Sequence, residues 1–269
     1  MSEAPAPGLF DLRGQVALVT GAAGGLGQAI ALAYAGQGAD LVLSDRDAAG
    51  AEAVAARCRD SGVRAQVQAA DLADPGQAEA LGARAAAVFG RIDTLVCNAG
   101  MQGPAGPGLA TERADWDRVF QVNLASAHAL CAALVPAMAA RRAGCVILMA
   151  SIAALRGNRA IGLYGLTKAA LAQMARNLAV EWGPRGVRAN AIAPGLIRTP
   201  LAADLMADQG FMARRLALTP LRRVGEPHEV AGVAVLLAAA AGAFISGQTL
   251  VVDGGTLVSD GMDRMAAQA

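Results

Sequence analysis

The sequence predicts an α/β protein built as one doubly wound domain, with a mostly parallel sheet and helices on both of its faces. Short apolar runs of strand length alternate along the chain with longer segments of helical periodicity. The apolar runs are continuous, which is typical of strands that are buried on both faces. Hydrophobic residues make up 55% of the 269 residues and aromatic residues only 3%, so the core must consist of small aliphatic side chains.

Seven strands and the helices between them are predicted in order along the chain. Parallel strands need crossover connections, and these are expected to be right-handed. The predicted strands are 16–20, 41–44, 65–69, 94–97, 145–150, 188–192 and 249–252. The predicted helical segments are 25–37, 48–60, 77–89, 115–142 and 164–182.

No internal repeat or low-complexity linker interrupts this alternation, so residues 11–256 are predicted to form a single domain. Residues 1–10 are rich in Pro and Ala and are predicted to be a disordered lead. Residues 257–269 are predicted to be a C-terminal tail, for which fraying is favoured over contact with a neighbouring subunit. The stretch 199–219 departs from the alternation and is expected to cover a site.

Charge and cysteine content restrict the possible partners. The net charge is +1 and no long basic run occurs, which argues against nucleic acid and anionic membranes as partners. The apolar run 230–245 is shorter than the ~20 residues of a membrane span, so a buried helix is predicted there, with another subunit as one possible packing partner. The four cysteines lack the spacing of metal ligands and are expected to be buried thiols in a reducing, cytoplasmic location.

Tyr164 and Lys168 are four residues apart in a helical segment, so their side chains are expected to project from one helix face. An ammonium beside a phenol lowers the phenol pKa from about 10 toward neutrality, which makes the phenol a usable general acid or base. Ser151 ends an apolar run and is expected to hold the reacting oxygen. Since a Tyr-x-x-x-Lys pair also arises by chance, the prediction depends on the motifs that accompany it.

The first predicted strand leads into a glycine-rich turn that opens a helix. Glycine permits a tight turn and lets a phosphate approach the free N–H groups at the helix N-terminus. The spacing differs from G-x-G-x-x-G, and a strand–helix turn without a ligand is the alternative. The residues predicted to contact a dinucleotide here are Gly21, Gly24, Gly25, Leu26 and Gly27.

Asp45 and Arg46 follow the second predicted strand. A carboxylate at this point accepts hydrogen bonds from the adenosine ribose hydroxyls and repels a 2′-phosphate, so Asp45 favours NAD over NADP. Arg46 argues in the other direction, because a guanidinium can pair with that phosphate.

Further contacts are predicted at the ends of the third and fourth strands. Asp71 and Leu72 are expected to flank the adenine, although capping of a helix is an alternative role for Asp71. Asn98 and Gly100 are expected to bring flexible backbone to the same edge of the sheet, where ligands bind in open parallel sheets.

Together these motifs resemble the short-chain dehydrogenase/reductase family, in its single-domain branch. The resemblance extends from residue 12 to residue 255. Its motifs are Thr20-Gly-x-x-x-Gly25-x-Gly27, Asn98-Ala99-Gly100, Asn123, Ser151, Tyr164-x-x-x-Lys168 and Pro194-Gly195. It implies a Rossmann-like fold with a seven-stranded sheet, a nicotinamide cofactor and often a homotetramer.

The resemblance also implies roles for the matched residues. Tyr164 is the implied general acid/base, and Ser151 polarises the substrate oxygen. Lys168 binds the nicotinamide ribose and lowers the Tyr164 pKa, while Asn123 holds a water in a proton relay from Lys168. A buried amide that satisfies backbone groups is the alternative for Asn123. The residues implied to lie around the nicotinamide are Pro194, Ile197 and Thr199.

The family topology places the substrate pocket along the loops that follow the strands and along the excursion. Most of its expected residues are apolar, which favours an uncharged or weakly polar secondary alcohol or ketone. The expected residues are Met101, Gln102, Ala153, Leu155, Asn158, Ile161, Leu201, Leu205, Met206, Phe211 and Met212. Binding of an anionic substrate by arginines is a less favoured alternative, since arginines on loops and lid helices are usually solvated. These arginines are Arg156, Arg159, Arg214 and Arg215.

The motifs and the resemblance lead to three candidate functions. The first is an NAD-dependent dehydrogenase of a secondary alcohol. The second is an NADPH-dependent 3-oxoacyl-carrier-protein reductase, for which Arg141, Arg142 and Arg185 would attract the acidic carrier. The third is a regulator that senses a dinucleotide without turnover, and it is disfavoured because a regulator has no need of a proton relay.

Overall fold

A computed structural model describes residues 8–260 of the chain. One seven-stranded sheet has the order β3-β2-β1-β4-β5-β6-β7, and every neighbouring pair is parallel. The doubly wound fold is confirmed, and this sheet is fully rather than mostly parallel. The strands are β1 Val16–Thr20, β2 Asp40–Ser44, β3 Ala65–Val67, β4 Thr94–Cys97, β5 Gly144–Met149, β6 Val187–Pro194 and β7 Thr249–Val252.

Helices connect the strands and cover both faces of the sheet. The side chains of Asp47 and Asp74 cap two of them by accepting hydrogen bonds from the N–H groups of Gly50 and Gly76. The helices are α1 Gly25–Gly36, α2 Ala48–Asp60, α3 Pro75–Phe89, α4 Arg113–Phe120, α5 Ser126–Ala140, α6 Gly162–Trp182, α7 Ala203–Ala207, α8 Gln209–Ala217 and α9 Pro227–Ala238.

The order of the strands determines where a ligand can bind. The chain winds from β1 outward through β2 and β3, and then returns to place β4 on the other side of β1. At such a switch point the connections leave in opposite directions, which opens a crevice at the carboxyl ends of the strands. Residues that follow β1, β2 and β4 therefore meet at one edge.

Two strands end two residues away from their predicted bounds at this same edge, and β5 ends one residue earlier than predicted. The third strand is predicted to reach residue 69 but ends at Val67, although Ala70 N still donates to Asp45 O. The sixth strand continues beyond residue 192 to Pro194, because β7 pairs with it as far as Val252. Pairing with a neighbouring strand, which local sequence does not encode, sets both ends.

The segment predicted as one helix over 115–142 runs from Arg113 to Ala140 and contains a π-helical turn, Gln121–Ala125. Its 28 residues are long and apolar enough to cross a membrane, but half of its most apolar window is buried inside the protein. Leu130, Leu134 and Met138 on α5 are almost fully buried in the core. The helix therefore has the burial of a core helix.

The apolar run predicted as a buried helix over 230–245 forms α9, which ends at Ala238 and is followed by a 3-10 turn. Its apolar residues pack on α1 of the same chain, and Tyr34 on α1 donates its hydroxyl to Ala234 O at 3.0 Å. The buried face of α9 is therefore covered within the chain, and packing of the rest of the helix against another subunit stays a prediction. Phe244, just beyond it, is fully exposed.

Small side chains allow the helices to approach closely. A Cβ placed on Gly82 of α3 would lie 2.5 Å from the Cβ of Ala133 on α5, which is closer than two carbon atoms can pack. The four cysteines are buried and free, as expected. No cluster of metal-ligating side chains occurs within residues 8–260.

The excursion 199–219 forms α7 and α8 and returns to the sheet. Its two ends are joined by an isolated bridge between Ile197 and Gly225, where Arg198 N donates to Gly225 O at 2.9 Å. The excursion is thus held at its base beside the carboxyl end of β6.

Part of each predicted terminal segment is ordered. Leu9 accepts a hydrogen bond from Ala241 N, so the predicted disorder of residues 1–10 is wrong for residues 8–10. Leu257 N donates to Asp253 Oδ2, which anchors the start of the tail. Residues 1–7 and 261–269 lie outside the described part of the chain.

Candidate active site

The carboxyl ends of the strands open into one cavity of about 740 Å³. This volume lies within the roughly 300–1,000 Å³ of small-molecule and coenzyme sites. The walls come from the ends of β1, β2, β4, β5 and β6, the first turn of α1, parts of α4 and α6, and the start of the excursion.

Ser151, Tyr164 and Lys168 lie together on one wall of this cavity. Ser151 follows β5 in an extended conformation, and its Oγ accepts a hydrogen bond from Ala153 N at 3.1 Å. Lys168 Nζ donates to Met149 O at 2.7 Å and lies 5.3 Å from the centroid of the Tyr164 ring. The chain thus places two hydroxyl groups and one ammonium at the switch-point crevice.

Burial controls the ionisation of these groups. It raises the pKa of Tyr164, and the nearby Ser151 hydroxyl opposes that rise. It also lowers the pKa of Lys168 to about 8, with the nearby Cys97 thiol acting in the opposite direction. The pKa of Tyr164 is thus raised rather than lowered, because desolvation of the phenol is the largest contribution, and the lowering by Lys168 with a bound nicotinamide stays a prediction.

Asn123 lies in the π-helical turn and is almost fully buried. Its Oδ1 accepts from Met101 N at 2.8 Å, and its Nδ2 donates to Met101 O and to Thr167 Oγ1. The side chain therefore satisfies backbone and hydroxyl groups, which was the alternative role for this residue. It does not line the cavity, and the water-holding role stays a prediction.

The glycine turn makes the cradle at the N-terminus of α1. Gly21 and Gly25 have positive φ angles of 66° and 54°, which favour glycine. A Cβ on Gly27 would lie 2.0 Å from Gly21 O, so Gly27 serves close packing and does not line the cavity. Gly24, at the N-cap, leaves the first N–H groups of α1 without a side-chain partner.

Asn98 holds this cradle against the end of β4. Its Nδ2 donates to Thr20 O at 2.9 Å and to Gly21 O at 3.2 Å. Thr20 Oγ1 accepts from the N–H groups of Asn98 and Ala99, both at 3.1 Å. The predicted flexibility of this backbone is therefore wrong, because hydrogen bonds fix it from both sides.

Ser44 ends β2 at the cavity, and Asp45 follows it. Asp45 Oδ2 accepts from Ala23 N and Oδ1 accepts from Asp47 N, both at 3.0 Å. Each oxygen keeps lone pairs that can accept further hydrogen bonds. The buried Ser44 Oγ has no hydrogen-bond partner within residues 8–260. Arg46 is exposed at the rim.

The remaining predicted cofactor residues line the same cavity. Asp71 Oδ1 accepts from Ala73 N at 2.9 Å, and Leu72 O accepts from Gln121 Nε2. Asp71 therefore shapes the turn before α3, in addition to its place on the wall. The other predicted wall residues are Gly100, Pro194, Ile197 and Thr199.

Only some of the predicted substrate-pocket residues line the cavity. The predicted residues that line the cavity are Met101, Gln102, Ile161, Leu201 and Leu205. Those that do not are Ala153, Leu155, Asn158, Met206, Phe211 and Met212. Asn158 Oδ1 instead accepts from Ala160 N and Ile161 N, and Leu155 is 47% exposed. Whether these side chains reach the cavity depends on how the loop after Ser151 and the excursion 199–219 fold back on the sheet.

Some wall residues were not predicted from the sequence. Arg118 and Val122 line the cavity from α4 and the π-helical turn. Their spacing of four residues places them on one helix face, which was a usable signal. The other such residues include Ser44, Ala70, Met149, Gly195, Leu196 and Ala202.

These features fit a dinucleotide. The unpartnered N–H groups at the start of α1 suit a pyrophosphate, and the carboxylate of Asp45 suits ribose hydroxyls. The buried Ser44 hydroxyl, for which residues 8–260 offer no partner, adds an unused polar atom beside that carboxylate. The observed glycine cradle leaves the space that a Cβ would otherwise fill.

Comparison with known proteins defines the class. The family model described as Enoyl-(Acyl carrier protein) reductase matches residues 21–256. Together with the similarity to curated relatives, this shows that the chain belongs to the short-chain dehydrogenase/reductase family of oxidoreductases, whose members use NAD or NADP. The family predicted from the motifs is thus confirmed.

Individual relatives cover nearly the whole chain. An uncharacterized oxidoreductase of Mycobacterium tuberculosis is 42% identical over 248 residues, which are 92% of this chain and 94% of that protein. The cis-4-hydroxycyclohexanecarboxylate dehydrogenase of Sinomonas cyclohexanicum is 40% identical over 242 residues, 90% of this chain and 96% of that protein. The crystal structure of a putative NAD(P)-dependent gluconate 5-dehydrogenase from Beutenbergia cavernae, with bound NADP, has a TM-score of 0.90 and 38% identity, covering 94% of this chain and 100% of that one.

Proposed function

We propose that the protein is an NAD(H)-dependent oxidoreductase that interconverts a secondary alcohol and a ketone, with Tyr164 as general acid/base. The observation that carries the proposal is that Ser151, Tyr164 and Lys168 line one cavity together with the glycine cradle of α1. A proton-transfer group and a dinucleotide cradle in one crevice are what hydride transfer to or from a carbinol carbon requires.

Each residue of the site has a proposed role in binding or catalysis. The cradle Gly21–Gly25 holds the pyrophosphate, Asp45 the adenosine ribose, and Lys168 the nicotinamide ribose. The bound nicotinamide supplies the hydride acceptor or donor. Tyr164 takes the alcohol proton as the carbon–hydrogen bond breaks, or returns a proton to the ketone oxygen. Ser151 donates a hydrogen bond to that oxygen.

NAD is the proposed coenzyme because the Asp45 carboxylate can still accept hydrogen bonds from ribose hydroxyls. The same carboxylate would repel the 2′-phosphate of NADP, which would have to lie beside it. The bound NADP in the gluconate dehydrogenase relative is the strongest counterargument, and the exposed Arg46 supports the same alternative. Initial rates with each coenzyme decide the question, since repulsion by the Asp45 carboxylate predicts a higher kcat/KM with NAD.

The NADPH-dependent 3-oxoacyl-carrier-protein reductase is the second candidate. The description of the family model names a different reduction, that of an enoyl group, but also a substrate on an acyl carrier protein. Its proposed docking arginines are engaged within the chain. Arg141 donates to Ile92 O, Arg142 donates to Pro184 O, and the Arg185 guanidinium stacks 3.9 Å above the Trp182 ring. A small-molecule alcohol or ketone is therefore the proposed substrate, in line with the dehydrogenase relatives.

The proposal is tested with a panel of secondary alcohols and ketones and both coenzymes, followed by nicotinamide absorbance. Replacing Tyr164→Phe removes only the hydroxyl, so we expect kcat to fall by about 10²-fold or more, with the coenzyme Kd nearly unchanged. The exposed-surface variant Gln173→Ala is the matched control and should keep full activity. Undiminished oxidation by the Tyr164→Phe enzyme would refute the role of this residue.

A further inference from the structure

Thr167 stands between Tyr164 and Lys168 on α6, and it is fully buried behind the cavity wall. Its Oγ1 donates to Tyr164 O at 2.8 Å and accepts from Asn123 Nδ2 at 3.0 Å. A threonine in a helix divides its χ1 angle between two rotamers, because its hydroxyl can bond to a carbonyl of the preceding turn. The bond to Tyr164 O therefore selects one rotamer and leaves a lone pair of Oγ1 for Asn123.

The Asn123 amide continues this connection to the wall of the cavity. Its Oδ1 accepts from Met101 N and its Nδ2 donates to Met101 O, both at 2.8 Å. Since Nδ2 carries two hydrogens, its bonds to Met101 O and to Thr167 Oγ1 use both of them. Met101 lines the cavity, and Gln102 lines it next to Met101. A continuous chain of hydrogen bonds thus joins the backbone of Tyr164 to the Met101 wall.

Gly100 brings the same network close to Lys168. A Cβ placed on Gly100 would lie 3.2 Å from Lys168 Nζ and 3.3 Å from Asn123 Oδ1. The ammonium and the amide therefore flank one point of the cavity wall. A displacement of Asn123 would reach Met101 on one side and the surroundings of Lys168 on the other.

We propose that Thr167 is a positioning residue whose hydroxyl orients the Asn123 amide and thereby fixes the Met101 wall relative to Tyr164. The proposal rests on the proposed function and adds to it a residue that touches neither substrate nor coenzyme. Reacting groups must be held within a narrow range of distances, and a misplacement of about 1 Å can cost about 10²-fold in rate. Without the hydroxyl, one N–H of the buried Asn123 amide loses its partner, and Met101 alone holds the amide.

Thr167→Val tests this role, because valine has nearly the shape of threonine but lacks the hydroxyl. We expect kcat/KM for an alcohol of the panel to fall about tenfold or more. The coenzyme Kd should stay within about twofold, because the glycine cradle and Asp45 share no partner with Thr167. Hydrogen exchange at Met101 N should become faster, since the amide that accepts from it is held less firmly.

Three further variants separate positioning from folding. Thr167→Ser keeps the hydroxyl and should retain most of the wild-type kcat/KM. Thr167→Ala removes the hydroxyl without adding a second methyl group, so it should show the same loss and takes the place of Thr167→Val if that variant does not fold. Tyr34→Phe deletes a fully buried hydroxyl that bonds to Ala234 O and lies outside the cavity wall. It should keep the wild-type kcat/KM.

The outcomes distinguish this proposal from the proposed function. Full activity of a folded Thr167→Val or Thr167→Ala enzyme, or unchanged exchange at Met101 N, overturns the positioning role and leaves the oxidoreductase standing. An equal loss in Thr167→Ser or in Tyr34→Phe overturns it too, because the hydroxyl at this place would then not be the cause. A wild-type enzyme that turns over no member of the panel with either coenzyme overturns the proposed function itself, and the positioning role with it.

Discussion

At the scale of single residues, the chemistry of the site depends on desolvation. Tyr164 is a weaker acid in the folded chain than in water, because its environment disfavours the phenolate more than Ser151 supports it. Lys168 directs its ammonium to Met149 O and becomes easier to deprotonate, with a pKa of about 8. The positive charge of an oxidised nicotinamide ring would act in the opposite direction on the phenol.

This environment predicts the pH dependence of the two reaction directions. Oxidation needs the phenolate of Tyr164, whose pKa is raised, so kcat/KM for the alcohol should increase with pH across the alkaline range. Reduction needs the protonated phenol and should be favoured at lower pH. Initial rates measured from about pH 6 to about pH 10 check the prediction. This range ends near the ordinary pKa of a tyrosine side chain.

The same measurement on Tyr164→Phe is the control, because the alkaline rise should disappear along with most of the activity. An alcohol oxidation rate that stays level over the whole range would show that Tyr164 does not titrate as the base.

At the scale of elements, the cradle depends on the junction between β1 and β4. Asn98, after β4, donates hydrogen bonds to the carbonyl oxygens of Thr20 and Gly21 at the end of β1. The turn that would receive the pyrophosphate is therefore positioned by tertiary contacts as well as by its glycines. Because the coenzyme would meet this turn directly, a loose junction should weaken both folding and binding.

The variant Asn98→Ala tests this junction. Loss of two part-buried hydrogen bonds should lower the free energy of unfolding by roughly 1–3 kcal/mol. The coenzyme Kd should rise, since Gly21 loses its support. Urea unfolding and coenzyme titration by fluorescence measure the two effects.

Gln173→Ala on α6 is the control, because it deletes two side-chain hydrogen bonds that are exposed. Its free energy of unfolding should change by less than about 0.5 kcal/mol. Equal effects of the two substitutions would contradict the role given to Asn98.

At the scale of the whole molecule, β7 is an edge strand of the sheet. Its Val251 is 42% exposed, and Phe244, in the segment leading to it, is fully exposed. Edge strands beside apolar side chains tend to be covered by another chain. This agrees with the homotetramer implied by the family resemblance, and we retain that assembly, in a cytoplasmic location, as a prediction.

Light scattering tests the assembly by mass. A homotetramer should have about four times the mass of the 27.0 kDa chain, and Phe244→Glu should shift the population to smaller species by placing charge in an apolar contact. A monomer mass at every protein concentration would rule the assembly out.

Periodicity and motif spacing were sufficient to predict many of the secondary-structure elements and several of the site residues. β1, β4, β7 and α2 have their predicted bounds, because uninterrupted apolar runs and capping residues specify such elements locally. The glycine turn, Asp45, Ser151 and the Tyr164–Lys168 pair were found because each follows a strand or shares a helix face. Parallel strands bring such residues to one sheet edge, whatever the details of packing.

The other features of the site came from contacts between segments that are far apart in the chain. The excursion could be recognised from the sequence, but the fold-back of α7 and α8 determined that Leu201 and Leu205 face the cavity while Phe211 and Met212 do not. Burial, which depends on every surrounding element, raised the pKa of Tyr164 where the neighbouring ammonium alone predicted a fall. Burial also differs between two neighbouring arginines of α8, since Arg215 is half-buried and Arg214 is exposed. Local sequence specifies which chemical groups reach the crevice, whereas their orientation, ionisation and exposure depend on long-range packing, because neighbours from distant segments set the space and the solvent around each group.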